Sequence, residues 1–240
     1  MSQPFQFKEF TIRQDKTAMK VGTDGVLLGA WCSLDDHPVS ILDVGSGTGL
    51  IGLMLAQRSD AEVIDAVELD DDAYEQTVEN FEQSDWADRL FCYHSSFQEF
   101  AQEMAEEEEQ YDLIISNPPF YTDSFETQDT ARNKARFTSS LSFEDLIQGA
   151  NQLLSSSGRF VTIIPYKEEQ RFVDIAEKNQ LFPLRVCRVK GTETSEIKRS
   201  MLEFTLEEVE WVEEELVIEI SRHNYTEKYK ELTRDFYLKG

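Results

Sequence analysis

The chain has 240 residues, 23 lysines and arginines against 47 aspartates and glutamates, and a formal net charge of −24. Hydrophobic residues make up 40% and aromatics 11%, with 16 phenylalanines, which is ample for a continuous core and excludes intrinsic disorder. Three scattered cysteines (Cys32, Cys92, Cys187) and three isolated histidines (His37, His94, His223) form no disulfide framework and no metal-ligand pattern, and no apolar run reaches the ~18–20 residues of a membrane span.

In chain order, Met1 to Lys20 is polar and mixed in charge, without a signal-peptide pattern, so the expectation is a cytoplasmic, metal-free protein. Val39 to Val44 is a short β-branched run ended by glycines, and Leu50 to Arg58 reads as an apolar helix. Val63 to Leu69 is a second strand, and Asp71 to Gln83 a helix whose first-turn acids suit its dipole. Leu90 to His94 is a third strand, followed by a helix from about Phe97 to Glu108. Tyr111 to Ser116 is a fourth strand, stopped by Asn117-Pro118-Pro119. A loop from Tyr121 to Leu141 leads to a helix over Phe143 to Leu154, with Ser142 as N-cap and Asp145 three residues on. Phe160 to Ile164 is a fifth strand and Glu168 to Asn179 a helix. Leu184 to Val189 and Met201 to Leu206 read as a closing strand pair, Leu216 to Ile220 as an edge strand, and Thr226 to Tyr237 as a polar terminal helix. Repeated strand–helix units imply an α/β fold, a largely parallel sheet covered by helices on both faces. No repeat or linker interrupts it, so one domain over residues 1–240 is expected. In such sheets ligands bind beyond the carboxyl ends of the strands, where strand order reverses.

Taken alone, the charge argues against a nucleic-acid partner. Two acidic clusters, Glu103 with Glu106 to Glu109 and Glu207 to Glu215, are read as solvated faces. Base is clustered too: Arg132, Lys134 and Arg136 in one loop, and Arg185, Arg188, Lys190, Lys198 and Arg199 further on. A local basic surface on an acidic body can still meet a phosphate backbone, so net charge leaves the partner open.

Three constellations carry chemistry. The first is Asp43-Val44-Gly45-Ser46-Gly47-Thr48-Gly49, between a strand and a helix, where glycines let the backbone approach a ligand and the helix start offers free N–H groups. A tight turn needs fewer glycines; Gly47-x-Gly49-x-x-Gly52 also fits the dinucleotide fingerprint, so a nicotinamide cofactor stays open on pattern alone. The second is Glu68, at the end of the second strand, placed to accept both ribose hydroxyls of an adenosine-containing cofactor. The third is Asn117-Pro118-Pro119-Phe120, directly after the fourth strand. The prolines fix φ and leave carbonyls free. The Asn117 amide oxygen and the Pro118 carbonyl can then accept hydrogen bonds from an exocyclic amino group, and Phe120 with Tyr121 offers a flat face for an extruded base.

With these residues the chain resembles the class I S-adenosylmethionine-dependent methyltransferases, in particular the amino-nitrogen methylating branch with an N-P-P-[FY] motif. That resemblance implies a Rossmann-like, doubly wound, mostly parallel seven-stranded sheet with an antiparallel closing strand. Two segments, Met19 to Trp31 and Tyr225 to Leu238, are similar to the bacterial tRNA adenine N6-methyltransferases acting on adenine 37 of a valine tRNA. The resemblance implies that Asp43, Gly45, Gly47 and Gly49 cradle the methionine part of S-adenosylmethionine, that Glu68 holds its ribose, and that Thr23 closes over its carboxylate. Asn117, Pro118, Pro119 and Phe120 would hold the target amine, with Tyr121, Arg132, Lys134 and Arg136 meeting the RNA. After the third strand the family commonly has an aspartate for the cofactor's adenine; here His94-Ser95-Ser96-Phe97 offers Ser96 as substitute, with Phe97 packing on the ring. An N-terminal segment of about 1–38 would close over the cofactor, and about 208–240 would form a strand–helix extension. Expected, then, is a metal-free monomeric enzyme acting on tRNA, away from membranes.

Other readings of the same motif are ribosomal RNA guanine N2 methylation and glutamine methylation of release factors. The second normally has a helical domain ahead of the glycine loop, and only 42 residues precede Asp43. A binding module that kept the fold and lost catalysis is the reading from another class, and the intact Asn117-Pro118-Pro119-Phe120 speaks against it.

Overall fold

A computed structural model describes residues 3–119 and 141–238. A two-strand hairpin, β1 (Phe5–Gln6) and β2 (Thr11–Ile12), precedes α1 (Thr23–Trp31). Alternation then begins: β3 (Ser40–Val44), α2 (Leu50–Arg58), β4 (Val63–Glu68), α3 (Asp71–Glu82), β5 (Leu90–His94), α4 (Phe97–Glu106) and β6 (Tyr111–Ser116). Beyond come α5 (Phe143–Leu153), β7 (Leu154–Pro165), α6 (Glu169–Lys178), β8 (Phe182–Thr192), β9 (Ile197–Thr205), β10 (Val212–Ser221), β11 (Asn224–Tyr225) and α7 (Glu227–Thr233).

The main sheet runs β11-β10-β8-β9-β7-β6-β3-β4-β5, with β9 antiparallel to both its neighbours and β11 antiparallel to β10. Seven of these strands are the expected set, β10 is the expected edge strand, and β11 brings the sheet to nine. β10 starts at Val212, four residues ahead of the expected edge strand, because glutamates read as a solvated cluster answer cations on the parallel neighbour β8. Glu213 pairs with Arg188 at 2.9 Å and Glu215 with Lys190 at 2.8 Å. The last helix is shorter than the sequence pattern suggests, ending at Thr233. Thr23 to Trp31, which carries only a sequence resemblance, is a buried helix.

One core lies on each face of the sheet. Phe160, Phe172 and Phe204 stack within the one that α4, α5 and α6 cover. The other is closed by α1, α2, the first hairpin and the C-terminal segment, where Phe7 stacks on Phe10 at 4.7 Å and Tyr237 at 5.9 Å. No helix among the described residues is long and apolar enough to cross a membrane.

Strand order reverses between β3 and β6, and these two strands lie side by side with Val44 opposite Ser116. The Ser116 hydroxyl donates to the Val44 carbonyl at 2.9 Å. The glycine loop and the Asn117 segment therefore start from adjacent strand ends, at the switch point. Two devices set α1 over that point. Gly29 lets α1 approach α2 so closely that a Cβ there would sit 2.9 Å from the Met54 sulfur. Arg58 at the end of α2 then donates to the carbonyls of Gly29 at 2.6 Å and Cys32 at 2.9 Å, satisfying the C-terminus of α1.

Gly29→Val should force α1 away from α2 and cost about 1–3 kcal/mol, read as a melting temperature lower by about 2–4 °C per kcal/mol. An unchanged melting temperature would contradict this packing.

Candidate active site

The loop after β3 is drawn by three glycines with positive φ: Gly45 at 74°, Gly47 at 61° and Gly49 at 73°. Side chains rarely adopt that backbone, and two of the three positions are also open: a Cβ on Gly45 or Gly47 would meet nothing within 4 Å. Gly49 differs, since a Cβ there would lie 2.7 Å from the Phe81 ring. It turns the chain into α2 against α3.

α3 braces the loop with buried polar side chains. Thr77 donates to the Gly47 carbonyl at 3.1 Å and meets the Ser46 hydroxyl at 3.1 Å. Asn80 donates to the Thr48 carbonyl at 2.8 Å and exchanges two hydrogen bonds with the Arg13 backbone, at 2.9 Å each. Gln76 accepts the Lys16 N–H at 3.1 Å. The same helix thus holds the glycine loop and the segment leading to α1. The Lys20 ammonium, bonded to the carbonyls of Gln14 and Thr17, knits that segment into a knot that delivers Thr23. Sequence reasoning missed Gln76, Thr77 and Asn80, yet they left a signal. Ala73, Gln76, Thr77, Asn80 and Phe81 recur at the spacing of one buried helical face, and three of the five are polar.

Two carboxylates flank the loop. Glu68, ending β4, accepts the Gly47 N–H at 2.8 Å on one oxygen and the N–H groups of Leu69 and Asp70, each at 2.9 Å, on the other. Asp43 is buried under the loop, accepts the Gly52 N–H at 3.1 Å on one oxygen, and has no partner on the other among the described residues. Burial pushes its carboxyl up to about 7, with the negative charge of Glu68 adding and the Gly52 hydrogen bond opposing.

Gly45, Ser46, Thr48, Thr23, Asn117, Pro118 and Pro119 meet around one cavity of about 1250 Å³. Its far wall is the end of β7 and the turn after it, Pro165 to Lys167, and the adjoining ends of β8 and β9 with Lys190, Lys198 and Arg199. Arg199 reaches across to α1 and pairs with Asp24 at 2.8 Å. Other expected residues stand apart. Ser96 caps α4, accepting the Glu99 N–H at 3.2 Å and donating to the Glu99 carboxylate at 2.7 Å. Phe97 is buried against Gly149 of α5, where a Cβ would lie 2.5 Å from its ring. Neither lines this cavity, and of the other cofactor candidates Asp43, Gly47, Gly49 and Glu68 do not line it either. Arg185 and Arg188 also turn elsewhere: Arg185 pairs with the buried Glu203 at 2.9 Å and lies 4.0 Å from the Trp31 ring, and Arg188 bridges Glu169 and Glu213. Phe120, Tyr121, Arg132, Lys134 and Arg136 lie outside the described residues.

The donor set suits S-adenosylmethionine. Its cationic amino group and ribose hydroxyls are hydrogen-bond donors, and the site offers the open face of Gly45 and Gly47, the unpartnered Asp43 oxygen and the Glu68 carboxylate. Strand order, the antiparallel β9 and a glycine loop at the switch point define a class I S-adenosylmethionine-dependent methyltransferase. An Agrobacterium tumefaciens protein of known structure, described as a predicted O-methyltransferase, shares the fold with a TM-score of 0.70 at 19% identity, over 89% of this chain and 96% of that one. The methyltransferase small domain family matches residues 27–179. A Christiangramia forsetii protein named tRNA1(Val) (adenine(37)-N6)-methyltransferase is 60% identical over 99% of both chains. Proteins of the same name from Bacteroides fragilis and Pectobacterium carotovorum are 45% and 40% identical, the first over 100% of both chains and the second over 98% of this chain and 93% of its own. The chain belongs to the tRNA1(Val) (adenine(37)-N6)-methyltransferase family.

The raised Asp43 carboxyl has a consequence for stability. In the unfolded chain this group ionises near 3.8 and in the folded, cofactor-free protein near 7, so its contribution is full below 3.8 and is lost as pH rises to about 7. Asp43→Asn, which keeps an acceptor for Gly52, should therefore gain melting temperature over the parent progressively between about pH 4 and pH 7, then level off. A gain independent of pH would contradict the buried, unpartnered carboxyl.

Proposed function

We propose that this chain transfers a methyl group from S-adenosylmethionine to the exocyclic N6 amine of adenine 37 in a valine tRNA. The observation that carries the reading is the meeting of Asn117, Pro118 and Pro119 with the open glycine loop in one cavity, in a chain of this family. The cavity, at about 1250 Å³, exceeds the ~300–1,000 Å³ of an ordinary small-molecule pocket and has room for a cofactor together with a nucleotide turned out of its stack.

The cofactor supplies an electrophilic methyl on a sulfonium. The residues of the chain orient its acceptor. In our reading the Asn117 amide oxygen and the Pro118 carbonyl accept the two N6 hydrogens. Those bonds favour a pyramidal nitrogen, whose lone pair would form the N–C bond as the sulfonium C–S bond breaks to a neutral thioether; they stabilise the positive charge that develops on the nitrogen until it releases a proton to water. Pro118 is buried and Pro119 exposed, and their fixed φ angles keep the end of β6 from adapting to other ligands. Asp43, Gly45, Gly47, Gly49 and Glu68 are assigned to the cofactor, with Thr23 closing from α1. We take the chain to act as one domain and as a monomer, in the cytoplasm where tRNA is found.

The test uses methyl-labelled cofactor and tRNA from a strain lacking this gene, followed by nucleoside analysis. Labelled N6-methyladenosine is expected from the parent enzyme. Asn117→Ala should lose at least about a hundredfold in turnover while the cofactor still raises its melting temperature. Turnover near that of the parent would overturn the assignment of Asn117.

A further inference from the structure

The chain carries 23 basic residues against 47 acidic ones, yet the described lining of the cavity reverses that ratio. Five cations, Lys20, Lys167, Lys190, Lys198 and Arg199, face two acids, Asp24 and Glu196. Three of the five are already engaged: Lys20 with main-chain carbonyls, Lys190 with Glu215 at 2.8 Å and Arg199 with Asp24 at 2.8 Å. Lys167 and Lys198 are different. Their side chains are 60% and 65% exposed, and the nearest acids, Glu168 and Glu196, stand at 3.7 Å, contacts of little worth in water. Lys167 lies in the turn after β7, and Lys198 at the start of β9 on the far wall.

Between Pro165 and Lys167 sits Tyr166, an aromatic side chain 40% exposed at the cavity rim. It belongs to no core cluster among the described residues. The Arg188 guanidinium lies 5.9 Å from its ring centre, itself fixed by Glu169 at 2.8 Å and Glu213 at 2.9 Å. The ring is thus braced from the sheet while much of it faces solvent. An exposed aromatic flanked by lysines is the arrangement that single-stranded nucleic acid uses: bases stack on rings, and ammonium groups follow the phosphates.

We propose that the Tyr166 ledge, with Lys167 and Lys198, is the docking surface for the RNA strand flanking the target adenine, Tyr166 stacking on a neighbouring base and the two lysines meeting backbone phosphates. The inference rests on the tRNA reading above and specifies where on this chain the strand runs. It also fits an acidic protein with an anionic partner: the described lining of the cavity is locally basic, five cations to two acids.

The test measures binding of an unmodified tRNA1(Val) transcript, which needs no methyl transfer, to the parent, Tyr166→Ala, Tyr166→Phe and a Lys167→Ala/Lys198→Ala double variant. Thermal shift by S-adenosylmethionine checks that each is folded and loaded. Tyr166→Ala should weaken binding about tenfold, and Tyr166→Phe should hold it near the parent value. The double variant should reduce the slope of log affinity against log salt by about one unit or more. Equal affinities and equal slopes in all four proteins would overturn the ledge. If the parent binds the transcript and leaves adenine 37 unmethylated, the tRNA reading fails while the ledge stands or falls by the affinities. If the parent does not bind the transcript, both are overturned.

Discussion

A loop built on glycines has few side chains with which to hold its own shape. From Gly45 to Gly49 the backbone takes three left-handed turns, and what keeps it there comes from elsewhere. Val67 of β4 accepts the Gly45 N–H at 2.9 Å, Glu68 accepts the Gly47 N–H, and Thr77 and Asn80 hold the carbonyls of Gly47 and Thr48. Asn80 also pins Arg13, so the brace that shapes the loop fixes the segment leading to α1. α1 in turn carries Thr23 to the cavity and lies against Asn117, whose amide nitrogen is 3.8 Å from where a Gly25 Cβ would stand. The cofactor side and the acceptor side of the site are parts of one hydrogen-bonded frame, anchored by the pairing of Val44 with Ser116.

Charge is distributed to different ends. Acidic residues of β10 answer cations of β8 along a parallel pair, and Arg185 and Arg188 are spent on Glu203, Glu169 and Glu213. The described lining of the cavity keeps five cations against two acids. A formal charge of −24 therefore says little about the partner. The potential near a cleft depends on which charges remain unpaired there, and on a protein this acidic a small basic mouth guides an anionic ligand to one place.

The strand–helix alternation was legible because buried parallel strands such as Tyr111–Ser116 are mostly apolar and are ended by turn residues. The capping box at Ser142 was legible too, and the Ser142 hydroxyl accepts the Asp145 N–H at 3.0 Å as that pattern requires. The glycine loop and the Asn117 segment declared themselves because their chemistry restricts residue type, and the fold brings them to one cavity. What escaped depended on partners distant in sequence. β10 starts inside a run of glutamates, which reads as solvent-facing until Arg188 and Lys190 are seen beside it. Thr23–Trp31 is too short and too uniformly apolar to show a helical stripe. Tyr166 and Lys167 follow a strand with no motif, and only the cavity reveals them. Ser96 and Phe97 were carried over by resemblance alone; in the structure Ser96 caps α4 and Phe97 packs in the core.

The most direct measurement is a crystal structure with S-adenosylhomocysteine bound. The account predicts the methionine part over Gly45 and Gly47 with its amino group toward Asp43, the ribose on Glu68, and the sulfur facing Asn117 across the cavity. A cofactor seated away from the glycine loop, or one whose sulfur faces away from Asn117, would contradict it.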